Sequence, residues 1–340
     1  MATTFRAILV SFILLSSFAA GVVAGPLEDA AAAMKRRDYR TALQLLRPLA
    51  DQGDAEAQAR LAAMLIAGQG VPQDYTEAAK WFRKAADQGS AIAQFGVAAM
   101  YIAGRGVPQD HAEAVRWLRR AADHGDTIAQ CLLGHAYATG QGVPQDDVDA
   151  MKWPQKAAVR GNAVGQCLLG VKYSAGAGTP PDFAEAAKWF RKAADQGNAA
   201  AQAWLGAMYF SGHGVPQDNT EAVKWLWKAA DQGNASAQAM LGEMYGAGGG
   251  VLQDHAEAAK WFRKAADQGN ANAQYNLGIA HFKGRGLRQD YAIAHMWLNL
   301  AAAGGNKDAA EFRDALAAEM TPAQIAEAQR LARERKPGQK

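Results

Sequence analysis

Seven histidines, two cysteines and a few glycine clusters are the residues of this 340-residue chain whose types could do chemistry. Nucleophilic catalysis would show a strained Gly-x-Ser-x-Gly elbow, and none occurs. Phosphate binding would show a glycine-rich loop between a strand and a helix. Gly246-Ala247-Gly248-Gly249-Gly250 has that composition without a preceding strand, so it reads as a turn. No Cys or His pair has metal-ligand spacing. His281 and His295 are the only close candidates, with ordinary polar packing as the competing reading. No catalytic residue, metal or cofactor is therefore expected, and the chain does not read as an enzyme.

The elements that carry these residues repeat with one period. Trp81, Trp117, Trp153, Trp189, Trp225, Trp261 and Trp297 are each 36 residues apart. The glycine pairs from Gly68/Gly70 to Gly284/Gly286 keep the same spacing. So do the Ala-Gln pairs from Ala57-Gln58 to Ala273-Gln274, with Gly165-Gln166 the one substitution. A fixed period of this length marks stacked supersecondary units. Seven copies run over residues 54–305, one all-α solenoid rather than two globules. Strand signals are absent, and alanine is heavy while Ile and Val are sparse.

Each copy reads as helix A, a glycine turn and helix B. In the second copy helix A spans 91–103, Gly104 to Pro108 break it, and Asp110 with Glu113 forms a capping box that opens helix B. Gly125 supplies the left-handed end of helix B. On a helical wheel Ala57, Gln58, Leu61, Ala62, Met64 and Leu65 share an arc that barely changes between copies. Helix B puts Ala78, Trp81, Phe82 and Ala85 on one side and Lys80, Arg83, Lys84 and Asp87 on the other. The repeated positions must be core, because a hairpin buries its apolar face only against its neighbours. The opposite helix A arc (Ala59, Arg60, Ala63, Ile66, Ala67) varies freely and is the natural inner groove. Its informative residues are Arg60, Phe95, Leu132, His135, Leu168 and Trp204, followed by Phe210, Met240, Glu243, Tyr275 and Phe282. Trp204, Phe210 and Met240 form an apolar anchor zone, the setting in which binding energy concentrates. The competing reading is that these side chains fill gaps between adjacent A helices.

The run from Ala201 to Gly233, with its AQ-x-x-LG, GVPQD, EA-x-KW and KAAD elements, resembles the Sel-1-like repeat, a relative of the tetratricopeptide repeat. The resemblance covers all seven copies, and a half-copy at 38–53, with Leu45 in the Trp slot, precedes them. It implies a right-handed α-solenoid that acts as an adaptor for other proteins, often exported in bacteria. Cysteine-rich exported members carry Cys pairs within each copy, a pattern missing here. Cys131 and Cys167 fall on consecutive A helices, about 8–10 Å apart, beyond the reach of a disulfide. Two free, partly buried thiols follow. His111 and His255 sit four copies apart, roughly 40 Å at about 10 Å per hairpin, too far to share a metal.

The first 24 residues hold one cation, Arg6, an apolar run over 7–20 and a small-residue Val22-Val23-Ala24 site, the pattern of a cleaved signal peptide. An uncleaved anchor is the alternative, since the run is about long enough to span a bilayer. The expected organisation is a signal peptide (1–24), an N-terminal capping half-repeat (25–53), the seven repeats (54–305), and C-terminal capping helices with a basic tail (306–340). The formal charge of +3 is concentrated at the ends and leaves the middle near −2, which excludes a dominant nucleic-acid surface. The reading is an exported, periplasmic or secreted scaffold whose groove takes a protein or peptide. An envelope protein binding glycan or peptidoglycan is the second class, for which Trp204, Tyr275, Asn276 and Glu243 are the candidate groups. Pro154, in the Phe82 slot, is expected to kink helix B of the third copy at about 3 kcal/mol.

Overall fold

The computed structural model describes residues 25–176 and 180–334. The proposed signal segment, Gly178 and the end of the basic tail lie outside the described residues. Among those described there are eighteen helices and no strand. The chain divides into two compact units, Met1–Gly165 and Gln166–Lys340. Each unit is a run of helix pairs packed on their neighbours. The first holds α1 (Pro26–Lys35), α2 (Tyr39–Asp51), α3 (Ala55–Ala67), α4 (Tyr75–Asp87), α5 (Ala91–Ala103), α6 (His111–Asp123), α7 (Thr127–Thr139) and α8 (Asp147–Val159). The boundary falls inside α9 (Ala163–Ala175). The second unit continues with α10 (Phe183–Asp195), α11 (Ala199–Ser211), α12 (Asn219–Asp231), α13 (Ala235–Ala247), α14 (His255–Asp267), α15 (Ala271–Lys283), α16 (Tyr291–Ala303), α17 (Lys307–Glu319) and α18 (Pro322–Glu334).

Helix ends are set by short polar side chains. Asp74 and Asp110 accept from the Glu77 and Glu113 amides, each at 2.9 Å. The A helices are capped in the same way, Asp54 accepting from the Ala57 amide at 2.7 Å and Asn234 from the Ala237 amide at 2.9 Å. One expectation is corrected. The helix B glutamates do not reach back to complete a capping box, because the N-cap amides are already used: Asp74 donates to the Leu65 carbonyl and Asp110 to the Tyr101 carbonyl. The freed glutamates turn to side chains. Glu113 accepts from the Trp117 indole at 3.0 Å, and Glu185, Glu221 and Glu257 pair with Lys188, Lys224 and Lys260. Side chains do reach back at the two ends of the described chain, Glu28 to the Gly25 amide at 3.0 Å and Gln324 in a reciprocal exchange with Thr321 at the start of α18.

The invariant glutamines are the buried polar joints of the stack. Gln238, 4% exposed, donates to the Ala230 carbonyl at the end of α12 and accepts from Gln268 at the end of α14. Gln58 makes the same two bonds, to Ala50 and from Gln88, and Gln202 bonds Ala194 and Gln232. One amide thus ties helix A to two successive B helices.

Two glycine positions are steric requirements. A Cβ on Gly106 would stand 2.1 Å from the Tyr75 carbonyl oxygen, and one on Gly214 2.1 Å from that of Phe183, so each of these turns lies against the first residue of the preceding helix B. Inside helix A, a Cβ on Gly206 would stand 2.6 Å from Leu226 Cγ, and one on Gly170 2.7 Å from Phe190 Cδ1. Large helix B side chains use that space.

Pro154 occupies the same slot. Helix is continuous from Asp147 to Val159, so the proline does not break it. The buried proline ring packs on Gly134, where a Cβ would meet its Cγ and Cδ at 2.5 Å. Neighbour packing retains the helix despite the lost N–H. Pro48 inside α2 is a second such case.

Each of the seven periodic tryptophans is shielded by at least one cation. Lys84, Lys228 and Lys264 lie over Trp81, Trp225 and Trp261 at 4.1, 4.0 and 4.0 Å. From the preceding copy Arg83 covers Trp117 at 4.6 Å and Arg191 covers Trp225 at 5.1 Å. The charged helix B face is therefore solvated and also seals the ring beneath it.

Two stability changes follow, both readable by urea denaturation. Gln238→Ala removes two bonds of the joint, while the Ala230 carbonyl keeps the Gly233 amide and Gln268 keeps the Lys264 carbonyl, and it is expected to cost about 1 kcal/mol; an unchanged midpoint would refute the joint. Pro154→Leu restores an amide and keeps an apolar side chain against Gly134, so it is expected to stabilise by at least about 1 kcal/mol. A loss of stability would show that proline is required there.

Candidate partner-binding face

The variable positions lie on the A helices, and the two units treat them differently. In the first unit Arg60 and Phe95 are 6% and 3% exposed, which withdraws both from the accessible surface on which the sequence placed them. The physical reason is local. Arg60 folds back onto Glu56 one turn earlier, and the rest of its face (Ala59, Ala63, Ile66 and Ala67) is small or aliphatic and buried with it. Leu132 is half-buried against the core, and His135 is exposed.

In the second unit the face is open. Leu168 is 39%, Trp204 46% and Phe210 40% exposed. Leu168, Trp204, Met240 and Asn276 hold the same position in consecutive A helices and form one row. Val171, Ala207, Glu243 and Ile279 form the next row, about one turn along. Trp204 is anchored as well as exposed: its ring stacks on fully buried Phe190, with centroids 5.7 Å apart and planes 8° from parallel. Phe190 is in turn pressed against Gly170. Met240 is half-buried and Glu243 exposed. Although the residue is exposed, partial desolvation on this apolar face pushes the Glu243 acid up, offset in part by a hydrogen bond with Asn276. Tyr275 and Phe282 are half-buried and pack with the C-terminal cluster instead. Phe312 meets Phe282 edge-on at 5.2 Å, so the capping helix α17 closes that end of the face.

A second exposed aromatic escaped the periodic reading. Trp227, 45% exposed, stands where Arg83, Arg119, Arg191 and Arg263 stand in other copies, and meets Trp261 edge-on at 5.6 Å. Its signal was the replaced arginine, two residues past the periodic tryptophan. The glycine turns also carry a variable edge, in which Arg105 donates to the Tyr75 hydroxyl at 3.0 Å and His213 stacks on Phe183 at 5.2 Å.

His281, His295, Cys131 and Cys167 are buried among packed side chains. Among the described residues no three His, Cys, Asp or Glu side chains stand together as a metal site. His281 Nε2 lies 3.3 Å from an Arg263 nitrogen, a cation that opposes metal binding. Burial, then Arg313, pushes the His295 pKa down, with Asp314 opposing. Both cysteines are free and buried. Burial, helped by Asp126, pushes the Cys131 thiol up to about 12, and burial pushes Cys167 up to about 11.

The Sel1 repeat profile matches residues 32–54, 55–90, 91–126, 127–162, 163–198, 199–234, 235–270 and 271–306. The chain belongs to the Sel1 repeat family. There are eight matches, the first over 32–54, and from residue 55 on each begins at the first residue of an A helix. A Sel1 repeat protein of Oxalobacter formigenes is similar at 31% identity and a TM-score of 0.64, over 91% of this chain and 99% of that one. A protective antigen of uropathogenic Escherichia coli with the same repeat fold is similar at 28% identity and a TM-score of 0.55, over 91% of each chain. Among curated proteins none matches. Sel1 repeat proteins are generally protein-interaction scaffolds and typically non-catalytic.

Thiols held this far above their usual range carry almost no thiolate near neutral pH. Native protein is expected to resist iodoacetamide at pH 8, with both cysteines alkylated rapidly only in denaturant. Fast native labelling at Cys131, read by mass spectrometry, would contradict its burial.

Proposed function

We propose that this Sel1 repeat protein is a non-catalytic, exported scaffold that binds a peptide or protein segment on the A-helix face of its second unit. The observation that carries the reading is the exposure of Leu168, Trp204 and Phe210 at positions that stacking does not require. Large apolar side chains left in water at adjacent copies cost solubility unless a partner covers them. Trp204 has the makings of an anchor, since its stack on Phe190 holds the ring in place before binding. Export rests on the N-terminal pattern of Arg6, the apolar run and Val22-Val23-Ala24. Glycan binding has less support, because Tyr275 is half-buried and the open face is mostly aliphatic.

Trp204→Ala is expected to weaken capture of the native partner from an envelope extract by at least about 2 kcal/mol, roughly thirtyfold in Kd. Leu168→Ser, which disturbs no ring stack, should weaken it in the same direction with an unchanged melting temperature. If Trp204→Ala melts early while Leu168→Ser leaves binding intact, both residues are structural and the reading fails. Cell fractionation with N-terminal sequencing tests export, with Gly25 as the expected first residue.

A further inference from the structure

The open face of the second unit is almost uncharged. Its five variable positions in the four copies are Cys167, Leu168, Val171, Ser174 and Ala175 in the first of them, and the equivalents 36, 72 and 108 residues on. Across all of these Glu243 is the one carboxylate, and Lys283, in the last turn of α15, is the one cation. Glu243 lies one turn from Met240 on the same side of α13, and Met240 is the next copy's equivalent of Trp204. Partial desolvation holds its acid above the usual range. Asn276 gives it an amide partner. No lysine, arginine or histidine of the described residues forms an ion pair with it, although Glu185, Glu221 and Glu257 on the B helices are all paired. A carboxylate offers about four lone-pair directions, and one amide leaves most of them open.

We propose that this face selects an apolar segment of a protein partner that carries one basic side chain, lysine or arginine, with Glu243 as its counter-charge. The inference rests on the reading that the face binds protein, and adds which protein segment it prefers. Charge complementarity excludes an acidic occupant, which would be set against an already underpaired carboxylate. The surrounding surface fits the rest of a basic residue: its methylene stem lies along Met240, and the exposed face of Trp204 offers a second attraction for the cation. Apolar residues on either side of it then meet Leu168 and Phe210, both well exposed. Trp204 and Leu168 supply the affinity, and Glu243 the discrimination.

The test uses an array of 12-residue peptides built from Ala, Leu, Met, Phe and Gln, each made with Lys, Met or Glu at one central position. Full-length protein is expected to bind the best Lys peptides at least tenfold more tightly than their Met versions, and the Glu versions least. Glu243→Gln keeps the shape of the side chain and its contact with Asn276. It should bring the Lys-to-Met ratio close to one while leaving Met-peptide binding in place. Trp204→Ala should lower all three series together. A lysine preference that survives Glu243→Gln overturns the proposal, as does equal binding of the three versions by the native protein; in either case the protein-binding reading stands. If no peptide of any version binds, the proposal and that reading fall together.

Discussion

The buried glutamine of helix A is the interaction on which the stack depends. A primary amide inside an alanine-rich core is costly unless both its ends are satisfied. In Gln58, Gln202 and Gln238 they are, by the last turn of the preceding helix B and by the terminal glutamine of the next. The bond geometry fixes the distance and rotation between successive hairpins more sharply than methyl contacts could. Where the terminal residue changes, the joint changes with it. His124 takes the partner role for Gln94 at 3.0 Å. Arg160 instead donates to the Gly125 carbonyl, and Gln130 Oε1 is left buried without a partner.

Around that joint the chain is closely fitted rather than merely apolar. The second glycine of the described turns, as at Gly106 and Gly214, touches the backbone of the preceding copy, and the helix A glycine admits a Phe, Leu or Pro from helix B. Lysines and arginines then cover the tryptophan rings. Nearly every repeated residue is thereby committed to stacking. On the proposed reading, partner recognition falls to the variable positions left in water.

Several features were legible one level down and were changed by competition. The Asp110 and Glu113 pair has the spacing of a capping box, yet the amide it needs belongs to the Tyr101 carbonyl of the preceding helix. Pro154 is a helix breaker in isolation, but a core slot facing Gly134 keeps its helix continuous. Arg60 is a surface residue by type, and Glu56 together with a buried aliphatic face holds it inside. In each case a local rule met a partner that the local sequence does not contain.

The sequence by itself determined the all-α class, the period of the hairpins, the limits of the repeat helices and the repeated core residues, though not the first helix, Pro26–Lys35, which pairs with Tyr39–Asp51. These follow from a 36-residue period, from caps and turns that act within a few residues, and from the need of each hairpin to bury one side. Tertiary structure decided which of the variable residues remain in water. Phe95, Phe282 and Trp204 occupy the same broad face and differ in exposure because of what lies against them: a closed face at Phe95, the aromatic Phe312 at Phe282, and at Trp204 a single ring beneath it with the other side open. Exposure is a property of neighbours distant in the chain, and helical periodicity records only the direction in which a side chain leaves its own helix.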